Sequence, residues 1–322
     1  MNIAFAGFRH GHIFVLYNQA VENSDVNISY CFEEDDNARA AAEAQGVCFN
    51  AKSYDEILKD ENVCAVAIGD YYGKRGRLVI EALKSGKHVI CDKPVCTDLS
   101  ELDEIERLSK EKGLVVACML DLRYMAQAER VKELIESGEI GDLKIASFTG
   151  QHCLDYGNRP GWYFEEGKHG GTINDIAIHG IDLIRYVTGK NLTKVDCARV
   201  WNAFADKEPD FADSGQFMAQ MGKMAISADV SYAAPKMNTM MPTYWNFYIW
   251  GSKGMINFCY KQRCIHLYKE RETVIECDEC EIKHLEDFIR QIKGEKTIME
   301  TGDILTSQRQ VLEIQKEADK QM

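Results

Sequence analysis

The sequence predicts a doubly wound α/β unit with a parallel sheet, followed by an α+β unit built on a mainly antiparallel sheet. Three observations carry this expectation. Strands and helices alternate through the first 122 residues; short strands crowd together after that point; and 322 residues with 45% apolar and 28% charged composition suffice for two cores.

Residues 2–6 form a short apolar run ending in Gly7, and 11–21 follow with helical spacing. The next strand is expected at 26–32, then an alanine-rich helix at 36–44 ended by Gly46. A short strand at 47–49 precedes a helix at 54–59, a strand at 63–68, a helix at 75–85, a strand at 88–91, a helix at 99–112 and a strand at 114–118. Six parallel strands with right-handed crossovers leave a ligand crevice at their carboxyl ends.

Beyond residue 122 a helix at 126–137 leads to a strand at 143–150, a polar loop rich in aromatics, and a helix at 173–187. Strands at 194–201, 215–221, 224–232, 244–250, 254–260 and 264–268 follow, and helices at 282–293 and 303–318 close the chain. Two domains are expected, 1–122 and 123–322. No internal repeat or low-complexity linker interrupts them.

Composition excludes several classes. Lys plus Arg (38) against Asp plus Glu (51) leaves a net charge of -13, which repels phosphate backbones, and no basic patch argues for nucleic acid. The apolar run 114–120 falls far short of the roughly 20 residues of a membrane span. The start has no basic n-region or cleavage site, so no secretory signal is expected. The 12 cysteines lie mostly in apolar segments of a chain large enough to need no disulfides, which predicts a reducing cytoplasm. Cys277-x-x-Cys280 with Cys264 and His266 lacks the second CxxC pair that makes zinc spacing specific, so no metal is expected.

Gly7-Phe8-Arg9-His10-Gly11-His12 aligns with G-x-G-x-x-G directly after a strand and at the opening of a helix, the context that gives this motif meaning. Gly7 suits the tight turn, and the amides at the helix start suit a pyrophosphate. Arg9 stands at the second glycine position, where it crowds the phosphate but offers a guanidinium to it. The following strand ends in Glu33-Glu34-Asp35-Asp36, where an acid binds the ribose hydroxyls of adenosine; Glu34 has the better register and Glu33 is the alternative. Four acids in a row disfavour a 2'-phosphate, so NAD is expected rather than NADP. An ordinary strand-to-helix turn with an acidic helix start is the plainer alternative.

Two further segments carry a family resemblance. Gly86-Lys87-His88-Val89-Ile90-Cys91-Asp92-Lys93-Pro94 resembles the G-K-H-V-x-x-E-K-P segment of the glucose-fructose oxidoreductase and inositol dehydrogenase (Gfo/Idh/MocA) family. The stretch from Gly170 to Asp182 resembles its G-G-x-x-x-D-x-G-x-H-x-x-D helix, at matching separation. The resemblance implies an N-terminal Rossmann domain, a C-terminal open-faced sheet, and NAD(P)-dependent oxidation or reduction of a sugar, cyclitol or related polyol. It places Asp92 and Lys93 against the nicotinamide and substrate, and Asp70-Tyr71-Tyr72 where the family commonly has T-P-N against the cofactor. Asp92 for glutamate, Ala177 for glycine and the altered T-P-N loop are departures from the pattern.

Chemically, hydride departure from a carbinol carbon requires loss of the hydroxyl proton. Lys93 and His179 can each take it, and Asp175, four residues before His179 on the same helix face, can orient the imidazole or hold a neighbouring hydroxyl. A helical surface pair is the plainer alternative. Asp182 is expected behind the imidazole. The loop with His152, Tyr156, Arg159, Trp162 and Tyr163 faces the substrate in the family, and aromatic faces beside hydrogen-bonding groups suit a sugar ring. Lys168 and His169 belong to the same neighbourhood.

The expected function is therefore NAD-dependent hydride transfer involving a secondary alcohol of a sugar, cyclitol or sugar derivative. A redox-assisted epimerase or glycoside-cleaving enzyme with retained NAD, and a catalytically silent NAD-bound sensor, are the alternatives. The open sheet predicts a homodimer or homotetramer, as in relatives.

Overall fold

A computed structural model describes residues 1–236, 244–278 and 280–321. The chain divides into two compact units: Met1–Met119 with Pro160–Gly170 and Lys283–Gln308, and Leu120–Arg159 with Gly171–Ile282 and Arg309–Met322.

In the first unit the apolar runs form five parallel strands: β1 (Asn2–Ala6), β2 (Asn27–Phe32), β3 (Ala65–Ile68), β4 (His88–Cys91) and β5 (Val116–Cys118), ordered β2-β1-β3-β4-β5. Helices α1 (Ile13–Glu22), α2 (Asp36–Glu43), α3 (Tyr54–Lys59), α4 (Tyr72–Lys84) and α5 (Leu99–Lys112) make the crossovers. Side chains of Asp35, Ser53 and Asp98 cap α2, α3 and α5 by accepting first-turn amides. Strand order reverses between β1 and β3, so the switch point, where such sheets bind ligands, lies at Gly7 and Asp70.

The strand expected at 47–49 does not form. The Asn50 side chain takes its place on the sheet edge: Oδ1 accepts from the Cys31 amide at 2.9 Å and Nδ2 donates to the Ser29 carbonyl at 2.9 Å. An amide side chain thus satisfies backbone groups that a sixth strand would otherwise pair.

The second unit carries eight strands, β6 (Leu143–Cys153), β7 (Lys194–Trp201), β8 (Ser214–Met221), β9 (Met224–Ala234), β10 (Asn246–Gly251), β11 (Met255–Cys259), β12 (Cys264–Tyr268) and β13 (Glu272–Glu276). Their order is β13-β12-β11-β10-β6-β9-β8-β7, and every pair is antiparallel except β6 with β9. β13 was not expected; its acidic, mostly exposed sequence gives no apolar signal. Helices α6 (Ala128–Glu136) and α7 (Ile178–Thr188) belong to this unit, and α8 (His284–Ile292) and α9 (Thr301–Asp319) close the chain. Gly180 lets α7 lie against β6, since a Cβ there would meet the Phe148 ring at 2.2 Å. Among the described residues no helix is long and apolar enough to cross a membrane.

Candidate functional site

The site in the first unit is built on the turn between β1 and α1. Gly7 adopts φ +83° and has no room for a side chain, because a Cβ would meet the Asp70 amide nitrogen at 2.6 Å. Three amides of the turn are internally bonded: Gly7 N donates to the Phe32 carbonyl at 2.9 Å, Phe8 N to Glu33 Oε2 at 2.5 Å and His10 N to the Gly69 carbonyl at 3.1 Å. Gly11 is exposed, with open space where a Cβ would stand, and His12 beside it is half-exposed.

Of the two candidate ribose acids, Glu33 is the buried one, held by the Phe8 and Asp35 amides and by Arg9 Nε at 3.3 Å. Glu34 is half-exposed and joins an ionic cluster. Arg9 reaches Glu34 Oε1 at 3.1 Å and Asp70 Oδ1 at 3.3 Å, while Lys74 reaches Glu34 Oε1 at 2.6 Å and Asp70 Oδ2 at 2.8 Å. Burial lowers the pKa of Arg9 and of Lys74, but the adjoining carboxylates more than offset it and leave both raised.

Behind the turn, Asp92 is a buried hub. Its oxygens contact His10 Nδ1, Arg75 Nη2 at 3.0 Å, His12 Nδ1 at 3.2 Å and the Lys93 amide at 2.8 Å. Burial alone would push this carboxyl up; His10, Arg75 and His12 hold it well below the usual range. Burial lowers His10 to about 4 against the opposing pull of Asp92, so its ring is neutral near pH 7. His10, His12 and Asp92 offer three ligand atoms within 4.8 Å of one another. Arg75 already neutralises that carboxylate, and the geometry is that of a hydrogen-bonded hub.

On the far side of His10, Nε2 lies 3.0 Å from the Tyr163 hydroxyl and 3.1 Å from that of Tyr72, and the two hydroxyls are 2.7 Å apart. Trp162 stacks on Tyr163 and donates from Nε1 to the Arg9 carbonyl at 3.2 Å. Trp162 and Tyr163, expected in a substrate loop, are therefore pinned to the dinucleotide turn of the first unit. His169 stands by the Tyr72 and Tyr163 rings, and Lys168 by Tyr71. Lys93 is buried, with its ammonium 5.7 Å from the Tyr72 ring centroid.

In the second unit, the segment Ile173–Ala177 is π-helical and α7 begins only at Ile178, so Asp175 and His179 do not lie on one regular α-helix. Both are buried. The Asp175 carboxylate meets the Tyr232 hydroxyl, and the His179 ring lies 5.7 Å from Trp245. Gln315 Oε1 accepts from the Ile173 and Asn174 amides, fixing the start of the segment. Asp182 makes a buried two-pronged pair with Arg123, both contacts at 2.7 Å. Arg159 donates to the carbonyls of Leu154 and Cys153, with its guanidinium 4.9 Å over Tyr232. It lines a polar cavity of about 390 Å³ with His152, Asp155 and Lys236. Tyr156 stands beside Lys207. Cys264 and His266 lie on β12, with Sγ to Nε2 at 3.6 Å.

The residues fit a dinucleotide at the first unit. The cramped Gly7, the exposed Gly11 just before α1, the acids closing β2 and the Arg9 guanidinium are chemically matched to ribose and diphosphate. Lys74 and Arg75 were not singled out in the sequence, and Tyr72 entered only as part of the altered T-P-N loop; the i,i+4 spacing of Asp70 and Lys74 was a local signal. Tyr232, on β9, and Trp245, just before β10, gave none, because contacts distant in sequence bring them to Asp175 and His179.

Residues 1–120 match the family model described as oxidoreductase family, NAD-binding Rossmann fold, and 128–257 match the GFO/IDH/MocA C-terminal domain. Myo-inositol 2-dehydrogenase of Thermotoga maritima is 27% identical over 187 residues, 58% of this chain and 54% of that protein. Levoglucosan dehydrogenase of Pseudarthrobacter phenanthrenivorans is 30% identical over 158 residues, 48% of this chain and 40% of that protein. The match thus spans about half the length, or less, of these curated relatives. Among solved structures, a putative oxidoreductase from Erwinia carotovora atroseptica superposes with TM-score 0.86 at 21% identity, covering 99% of this chain and 98% of that one. A levoglucosan dehydrogenase in complex with NADH and levoglucosan superposes with TM-score 0.80 at 20% identity, covering 99% and 96%. These likenesses establish the fold.

Proposed function

Because the chain belongs to the Gfo/Idh/MocA family of oxidoreductases, with an NAD-binding Rossmann fold in its first unit, we propose that it transfers a hydride between a secondary alcohol of a sugar, cyclitol or sugar derivative and nicotinamide. The observation that carries this reading is the turn at Gly7, set at the β1/β3 switch point with the buried acid Glu33 behind it. NAD is the preferred form, because the run Glu33 to Asp36 would repel a 2'-phosphate. Residues 1–122 are the dinucleotide half and 123–322, apart from the segments 160–170 and 283–308 that belong to the first unit, the substrate and oligomerisation half.

Bound nicotinamide supplies the hydride acceptor or donor. The chain's residues do the rest. Gly7, Arg9, Gly11 and His12 hold the diphosphate, and Glu33 and Glu34 the adenosine ribose. His10, Asp70, Tyr71 and Asp92 shape the wall of the same site. Lys93 Nζ and His179 exchange the hydroxyl proton. Asp175, fixed by Tyr232, orients the reacting hydroxyl. His152, Tyr156 and Arg159 recognise the sugar rim, and Trp162 and Tyr163 act through the turn they pin. All 12 cysteines are free thiols, which suits a reducing cytoplasm.

The test is Lys93→Ala. Turnover, followed by nicotinamide absorbance across a panel of sugars and inositols, should fall by roughly 10²- to 10⁴-fold, while NADH affinity measured by fluorescence stays within a few fold. Undiminished turnover in that variant rejects the assignment.

A further inference from the structure

Three cations of the first unit surround a single aromatic ring. The Arg9 guanidinium, Lys74 ammonium and Lys168 ammonium lie 5.2, 5.9 and 5.2 Å from the Tyr71 ring centroid. Arg9 occupies the second glycine position of the turn, and Tyr71 follows the end of β3, so the group stands at the switch point, where dinucleotide diphosphates bind. Arg9 and Lys74 have little exposed side-chain area, 13% and 9%, so their interactions are less screened than those of surface ions.

We propose that Arg9, Lys74 and Lys168, gathered on Tyr71, form a diphosphate clamp in place of the missing glycines, and that Asp70 competes with the diphosphate for it. The proposal rests on the dinucleotide reading above. The charges explain the competition. Arg9 and Lys74 face Glu33, Glu34 and Asp70, so the cluster around these two cations already carries an excess of negative charge. A diphosphate gains these cations only as a carboxylate gives them up. Glu33 is committed to the Phe8 and Asp35 amides, and Glu34, which also binds both cations, is half-exposed and so more strongly screened than the buried Asp70. Asp70 binds both Arg9 and Lys74, and its other partner, the Tyr71 amide at 2.8 Å, needs only a neutral oxygen. The two main departures from the family motifs therefore face each other: Arg9 replaces glycine and Asp70 replaces the first residue of T-P-N. Lys168 also pairs with Glu165, an exposed partner that a diphosphate readily outcompetes.

The experiment measures Kd by calorimetry for NADH and, separately, for inorganic pyrophosphate. It uses the full-length wild type, Asp70→Asn, Lys74→Met and Lys168→Met, with circular dichroism melts to verify folding. Asp70→Asn keeps the acceptor for the Tyr71 amide and should tighten both ligands roughly tenfold, whereas Lys74→Met should weaken both by about the same factor and Lys168→Met by less. Lys74→Arg, which retains the charge, serves if Lys74→Met does not fold, and should hold affinity within a few fold. NADH binding that ignores all the substitutions overturns the clamp and leaves the oxidoreductase reading intact. Pyrophosphate binding that follows the predicted order without any NADH binding keeps the clamp and removes the dinucleotide reading. If no variant binds either ligand, both fall.

Discussion

Asp92 and His10 show how a buried ionisable pair constrains its surroundings. With His10, His12, Arg75 and the Lys93 amide around it, Asp92 is ionised, and the neighbouring imidazole, desolvated, is neutral. Since His10 titrates near 4 in the folded chain against about 6.5 unfolded, the unfolded state takes the proton first. Stability is therefore lost as pH falls through that window, by up to about 3 kcal/mol from this residue. His10→Asn retains a donor toward Asp92 and should flatten the slope of guanidinium-derived stability between pH 6.5 and 4; an unchanged slope would place the titration elsewhere. At this scale the sequence marked candidate residues and was silent about their partners. Asp182 was expected behind His179, yet Arg123, 59 positions away, neutralises it, and Asp175 meets Tyr232 at a separation of 57. Local spacing cannot encode such pairs.

Elements were most legible where apolar period and caps agreed. The helices Tyr54–Lys59 and Leu99–Lys112 match expectation end to end, each with a side-chain cap, and strands His88–Cys91 and Lys194–Trp201 do as well. The misses have tertiary causes. Asn50 replaces an edge strand, β13 relies on pairing with β12, and Pro160–Gly170 joins the first unit through contacts to residues 9, 10 and 73. Gly180 makes the element-level argument testable. A Cβ there would fall within 2.2 to 2.5 Å of three Phe148 ring atoms, so α7 and β6 cannot both stay in place. Gly180→Ala should cost about 1–3 kcal/mol in denaturant unfolding, and Phe148→Leu added to it should cost less than the two single changes summed. Full additivity would mean that the helix and strand do not share this contact.

At the scale of the whole molecule, the eight-stranded sheet buries one face and leaves the other open. Phe148, Ala228 and Phe217 are paired across β6, β9 and β8 and are buried. The adjacent row on the opposite face runs Tyr248, Ser147, Ser227, Met218, Cys197, with Met218 58% exposed and Ile145 nearby 48% exposed. The row from Tyr248 to Cys197 lines a depression of about 440 Å³ whose small serines permit close approach of another surface. An exposed apolar row of this kind suits face-to-face packing against a second copy related by a two-fold axis. We expect light scattering to report at least twice the 36.5 kDa chain mass. Met218→Glu places like charges opposite each other across such an interface and should shift the population toward the single chain, at unchanged far-ultraviolet circular dichroism. A wild type that scatters as one chain at working concentration would show that this face does not pair with itself.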